Sequence, residues 1–99
     1  MFAWDEAKRL VNLRKHGIDF ADAARIFRSL TFTSEDDREA YGEQRFLTLG
    51  LLEDQVVSVA HTEQGEVIRI ISIRKTTKYE TRFYFSQITD EPNAVAQNV

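Results

Sequence analysis

The segment Ile68–Tyr84, IRIISIRKTTKYETRFY, decides how this chain folds. Its β-branched first half predicts a strand from Glu66 to Arg74, and Thr76 or Thr77 is placed to cap a helix running to about Gln87. The junction gathers Arg69, Arg74, Lys75, Lys78 and Arg82, with Glu80 as the one acid among them, in a chain whose net charge is −3. A strand that turns so basic at its end points to the handling of phosphates. The plainer reading is a strand end followed by a solvated helix face.

Working outward, the turn Gln64–Gly65 leads back to a strand from Val56 to Glu63, and Glu53–Asp54–Gln55 leads back to another from Gln44 to Leu52. That register sets Leu47, Leu49 and Leu51 opposite His61, Val59 and Val57, with Arg45 facing Glu63. It also puts Ile70 beside Val59 and Ile68 beside His61, with Ser72 and Arg74 on the same face and Arg69, Ile71 and Ile73 on the other. A shorter strand is expected at Leu30–Ser34. Near the N-terminus Phe2–Trp4 reads as a brief strand, and Asp5 caps a helix to about Lys15 in which Ala7, Leu10, Val11 and Arg14 follow helical spacing. Arg14–Lys15–His16 and then Gly17 end that helix. Asp19 caps a second helix, Phe20 to about Arg28, with Phe20, Ala23, Ala24 and Phe27 as its buried stripe. The expected fold is α+β: two N-terminal helices on an antiparallel sheet of about four strands, with a C-terminal helix. Residues 1–88 form one domain and 89–99 a loose tail.

Ninety-nine residues, 42% of them hydrophobic, make one globular domain with a single modest core. No apolar run spans a bilayer and MFAWDEAKRL lacks the apolar core of a signal peptide, so the cytoplasm is the expected compartment. The absence of cysteine excludes a thiol nucleophile and a cysteine-ligated zinc. His16 and His61 show no metal-ligand spacing, so no metal or cofactor is expected, with carboxylate-bound magnesium left open. Acid collects in EDDREAYGE, Glu35–Glu43, and base at Lys8–Arg9, Arg14–Lys15 and the C-terminal stretch. This segregation predicts a basic working face balanced by an acidic back. The net acidity argues against strong nonspecific nucleic-acid binding.

Three segments in order carry a family resemblance: W-D-E-A-K-R-x-x-N-x-x-K-H-G-x-x-F from Trp4 to Phe20, G-E-x-R from Gly42 to Arg45, and I-R-I-I-S-x-R-K-x-T-x-x-E-x-x-x-Y from Ile68 to Tyr84. With His61–Thr62–Glu63 before the last strand, the chain resembles the BrnT family of bacterial toxins over everything but the tail. The resemblance implies a ribonuclease toxin with a fold similar to RelE-type endoribonucleases. It also implies a BrnA-type antitoxin that neutralises the toxin and binds the operon's DNA, so that the toxin meets DNA only through it. Gln64 departs from the pattern, standing where many relatives have a basic residue, which removes one charge near the expected RNA face.

Metal-free RNA cleavage needs a base for the 2′-hydroxyl, positive charge on the pentavalent phosphate, and a proton for the leaving oxygen. Arg74 and Lys75 are the expected catalytic cations. Arg45, Arg69, Lys78 and Arg82 are expected to bind RNA; Arg suits phosphate because its planar fork meets two oxygens. His61 is either the acid–base residue or a hydrogen-bonded rim histidine. Tyr84 stacks on a base, donates a proton or packs in the core. Glu80 joins the site or pairs with Arg45 or Arg74. Lys15 binds phosphate or complements the helix dipole, and His16 caps its helix or takes part in catalysis. A non-catalytic module gripping an acidic partner uses the same arginines. A small DNA-binding regulator fits less well, because no recognition helix is visible. The antitoxin is expected to cover the basic face with counter-charge.

Overall fold

Local capping chemistry sets the ends of the helices. The Asp5 carboxylate accepts from the backbone N–H of Ala7 at 2.8 Å and of Lys8 at 3.2 Å, opening α1, Glu6–His16. Gly17 closes it at φ 73, the left-handed conformation that glycine adopts without strain. The Asp19 side chain accepts from Ala21 N–H and starts a single 3₁₀ turn, Phe20–Asp22, before α2, Ala23–Arg28. The expected second helix is therefore two short pieces. Thr77 and Glu80 form a reciprocal capping box at the start of α3, Lys78–Ile88. The computed structural model describes residues 1–89; the expected tail, apart from Thr89, lies outside the described residues.

The strands are β1 Phe2–Trp4, β2 Phe32–Glu35, β3 Phe46–Leu52, β4 Gln55–Gln64 and β5 Val67–Lys75. They form one five-stranded sheet in the order β1-β5-β4-β3-β2. The expectation of about four antiparallel strands is corrected on two counts. The brief N-terminal strand joins the sheet as a fifth member, and it runs parallel to β5, with Phe2 opposite Ile68 and Trp4 opposite Ile70.

Both expected registers are also corrected. The β3–β4 loop has two residues, not three, with Glu53 at φ 58, so Leu51 pairs with Val56, Thr48 with Val59 and Phe46 with His61. A slip of one residue exchanges the faces, so Thr48 and Gly50, rather than the leucines, lie beside Val59 and Val57. Between β4 and β5 the turn is Gly65–Glu66, and the pairs Ala60–Ser72 and His61–Ile70 leave Ile71 without a partner. This is a β-bulge, one extra residue on β5. It reverses the alternation, so Ile70 and Ile73 are both buried on one face.

That face packs under α2 and the 3₁₀ turn, through Ile18, Phe20, Ala23, Ile26, Val57, Val59, Ile70 and Ile73. Each large apolar side chain enclosed there contributes roughly 1.5–3 kcal/mol. Ile26, not Ala24, completes the α2 stripe, because the 3₁₀ turn rotates the helix that follows it. The approach of α2 to β3 needs Gly50, where a Cβ would stand 3.0 Å from Ile26 Cγ2. On the opposite face α3 covers one end of the sheet, where Tyr84 packs with Leu49 and Val56.

α1 does not bury its predicted stripe. Leu10 and Val11 are exposed, and the buried residue is Asn12. Its amide accepts from Ile73 N–H at 3.1 Å and donates to Ile73 O at 2.9 Å and to Ile18 O at 3.0 Å. The side chain thus stands in for a strand residue along β5, just past the point where β1 ends.

Candidate nucleic-acid interface

Residues directly paired across a sheet share a face. Beyond α3, the second face carries Ser58 opposite Arg74, Ala60 opposite Ser72 and Thr62 opposite Arg69. Arg69 and Arg74 are five residues apart, and an uninterrupted strand would aim them at opposite faces. The bulge at Ile71 brings them to the same one.

Arg74 is fixed by Glu80 through two parallel bonds, Nη1 to Oε1 and Nη2 to Oε2, both 2.9 Å. The Arg74 hydrogen bond is the main reason the Glu80 carboxyl is held at about 2. Arg69 donates to both oxygens of Glu43, at 2.8 and 3.0 Å, and Arg45 Nε reaches Glu43 Oε2 at 3.1 Å. The Arg45 guanidinium also lies 4.2 Å from the centre of the Tyr41 ring, a cation–π contact. Tyr41 donates to Asp36 Oδ2 at 3.0 Å, and Arg38 grips both oxygens of Asp36 at 2.7 and 2.9 Å. Asp36 is buried, its N–H closes the loop onto Arg45 O at 2.8 Å, and the Arg38 hydrogen bond leads in holding its carboxyl at about 2. Arg38 stands close enough to Arg74 to oppose its charge.

A chain of contacts thus runs Arg69–Glu43–Arg45–Tyr41–Asp36–Arg38, and the Arg74–Glu80 pair stands apart from it. The acidic loop is no separate back. Two of its acids, Asp36 and Glu43, hold arginines in place on the basic side. Sequence reasoning missed Arg38, hidden among five acids, and missed Tyr41 and Asp36 as its supports. The available signal was the repeated acid-x-Arg spacing, Asp36-x-Arg38 and Glu43-x-Arg45.

Other expected site residues lie elsewhere. Lys75 opposes Val57 on the reverse face from Arg74 and lines a groove of about 300 Å³ with Asp54, Thr76 and Phe85. Lys78 and Arg82 are exposed one turn apart on α3. Lys15 and His16 line a third location, a groove between α1 and β5. Tyr84 is fully enclosed and donates to Leu30 O at 2.6 Å, and burial raises its phenol above the usual range.

His61 is not at the sheet rim. Alternation along β4 keeps it on the core face with Val57 and Val59, and the slipped register sets Phe46 opposite it, so that it is fully buried between Phe46, stacked at 5.8 Å, and Phe27 at 5.3 Å. Its Nε2 is 2.7 Å from Thr48 Oγ1, which is 2.7 Å from Thr33 Oγ1. Nδ1 has no hydrogen-bond partner among the described residues and lies 3.7 Å from Glu63 Oε2. Burial pushes this imidazole below its ordinary pKa, with Glu63 partly opposing.

Among the described residues no three His, Asp or Glu side chains converge to hold a metal, and no helix is long and apolar enough to cross a membrane. A small α+β domain with Arg69 and Arg74 on one sheet face, and Arg38 and Arg45 tethered in the loop before β3, has the outline of a protein that handles nucleic acid. Over residues 4–80 the sequence matches the model of a ribonuclease toxin of a type II toxin–antitoxin system, a class in which an antitoxin protein is the partner. The family is BrnT, and the chain belongs to it. The matched span contains α1 with Asn12, the Asp36–Arg45 loop and the Arg74–Glu80 pair. Nothing among the curated proteins matches the chain.

Proposed function

We propose that this toxin cleaves RNA without a metal on the open half of the sheet, with Arg38, Arg45, Arg69 and Arg74 engaging successive phosphates. The observation that carries this reading is the bulge at Ile71, which sets Arg69 and Arg74 on one face beside the tethered Arg38 and Arg45. In the reaction the 2′-hydroxyl gives its proton to solvent as its oxygen bonds to the adjacent phosphorus, and the P–O5′ bond breaks with the 5′-oxygen taking a proton from solvent, leaving a 2′,3′-cyclic phosphate. Arg74 stabilises the charge on the phosphorane, and Lys75 adds positive potential from the strand end. Such stabilisation is usually the largest single contribution to catalysis. His61 and Tyr84 are enclosed by protein, so the part assigned to this chain's residues is charge stabilisation by Arg74 and Lys75. Cleavage of transcripts arrests translation and growth, and a BrnA-type antitoxin neutralises the toxin and links it to operator DNA.

The test is incubation of the purified toxin, free of antitoxin, with RNA in EDTA. Fragments ending in 2′,3′-cyclic phosphate are expected. Intact RNA in EDTA, with cleavage restored by magnesium, overturns the metal-free reading.

A further inference from the structure

Helix α1 is turned inside out. At 3.6 residues per turn Arg9, Asn12 and His16 share one side, and that side faces the protein. Asn12 is bonded to Ile18 and Ile73, and Arg9 is held by Glu6 and by Asp19 at 2.9 Å. The apolar residues take the outside: Leu10, Val11 and Leu13 are 45%, 53% and 38% exposed. A surface helix ordinarily lays its apolar stripe on the core. Here the core receives its apolar residues from Ile18, the 3₁₀ turn, α2 and the strands, and none from α1.

Beside this exposed stripe lies a groove of about 310 Å³ between α1 and β5. Ala7, Val11 and Ile71 make its apolar part, and Lys8 and Lys15 stand along it. Lys8, Arg14 and Lys15 have no carboxylate partner among the described residues, whereas Arg38, Arg45, Arg69 and Arg74 each have one. Uncompensated positive charge next to an apolar floor matches an acidic amphipathic helix, which offers apolar side chains to the floor and carboxylates to the lysines. RNA would satisfy the lysines and leave the floor unused.

We propose that the groove between α1 and β5 is where the antitoxin protein docks, through an acidic amphipathic helix. The inference rests on the chain being the toxin of a toxin–antitoxin pair and deepens that reading by placing the partner. Ser72 lines the groove and lies two residues from Arg74 on β5, so a segment seated here overhangs the arginine face. Neutralisation then comes from obstruction alongside the arginines, without the antitoxin displacing their own carboxylates.

The test uses the full toxin carrying Val11→Asp or Lys8→Glu and the antitoxin encoded with it. Both side chains point outward, and an acid at position 8 favours the helix N-terminus. Melting temperature and cleavage of RNA by the free toxin should therefore stay at wild-type levels. Antitoxin affinity should fall by about tenfold or more for each variant, since both a charge contact and an apolar anchor are removed in turn. Affinity within about twofold of wild type for both overturns the proposal. Loss of RNA cleavage with antitoxin binding intact also overturns it, and assigns the groove to nucleic acid. Should Val11→Asp lower the melting temperature, Lys8→Glu alone decides. A wild-type toxin that cleaves no RNA, yet loses its antitoxin on either substitution, sinks the metal-free ribonuclease reading and supports the docking site.

Discussion

Arg74 and Glu80 meet through two parallel 2.9 Å hydrogen bonds while Glu80 also accepts from Thr77 N–H at 2.9 Å. One carboxylate therefore fixes both the arginine at the end of β5 and the first turn of α3. Replacing it with Gln removes the charge from both arrangements. Glu80→Gln should cost about 1–3 kcal/mol of stability, the usual range when a charged hydrogen bond is broken beside a half-buried partner. RNA cleavage should fall with it, because Arg74 loses its fixed direction. Urea denaturation alongside a cleavage assay checks both.

Arg74→Ala and Lys75→Ala separate the two neighbouring cations. Removing a cation aimed at the transition state costs a rate factor of about a hundred to a thousand. Arg74 shares its face with Arg69 and should show that loss at saturating RNA. Lys75 stands on the reverse face and should act mainly on binding and its salt dependence. Equal turnover in wild type and Arg74→Ala would remove Arg74 from the chemistry.

The acidic limb of stability has a definite sign. Asp36 and Glu80 are both held at about 2, below their ordinary 3.8 and 4.5. A carboxyl depressed in the folded state contributes stability that is fully present above its ordinary value and lost as pH falls through the folded value. Melting temperature should therefore drop between about pH 4.5 and 2, and Asp36→Asn should flatten part of that drop.

His61 acts in a different window. Its folded pKa lies below the ordinary 6.5, so the unfolded chain takes up the proton more readily. Stability should begin to fall as pH drops below about 6.5, well before the carboxylates respond. Thermal melts of wild type and His61→Gln from pH 7.5 to 5 compare the two; an identical slope in both would show that the imidazole is not the group responsible.

Asn12→Ala should cost about 2–4 kcal/mol, since it leaves Ile73 N–H and two buried carbonyls without partners. Asn12→Asp should do no better, because a carboxylate accepts from Ile73 but donates to neither carbonyl. Denaturation midpoints measure both.

The caps were legible in the sequence because their chemistry is local. Asp5, Asp19, Gly17 and Thr77 each act within four residues of themselves. Strand pairing was less legible. β4 is buried on both faces over Val56–Val59, so its pattern does not penalise a slip of one residue. Glu53 takes a positive φ that no glycine announces, and that shortened loop is what sets Phe46 rather than Leu47 opposite His61. The cations Arg45, Arg69 and Arg74 were visible as residues, but their common side depends on the extra Ile71, an insertion that leaves no mark in hydrophobic periodicity. Asn12 was read past because an amide inside a helix is ordinarily a solvent-facing residue, and only the tertiary edge of β5 gives it work.

The parallel pairing of β1 with β5 ties Met1 N to Glu66 O at 3.1 Å, across 65 residues of chain. During synthesis the first strand emerges early and waits unpaired until the last one follows. Contacts this distant in sequence slow folding, because the intervening loop must close before they form. Arg69, Arg74 and the Ile73 anchor for Asn12 all belong to that late strand. A nascent chain interrupted before Val67 has neither the arginine pair nor the α1 groove, so an abortive translation product is born without the equipment of the finished protein.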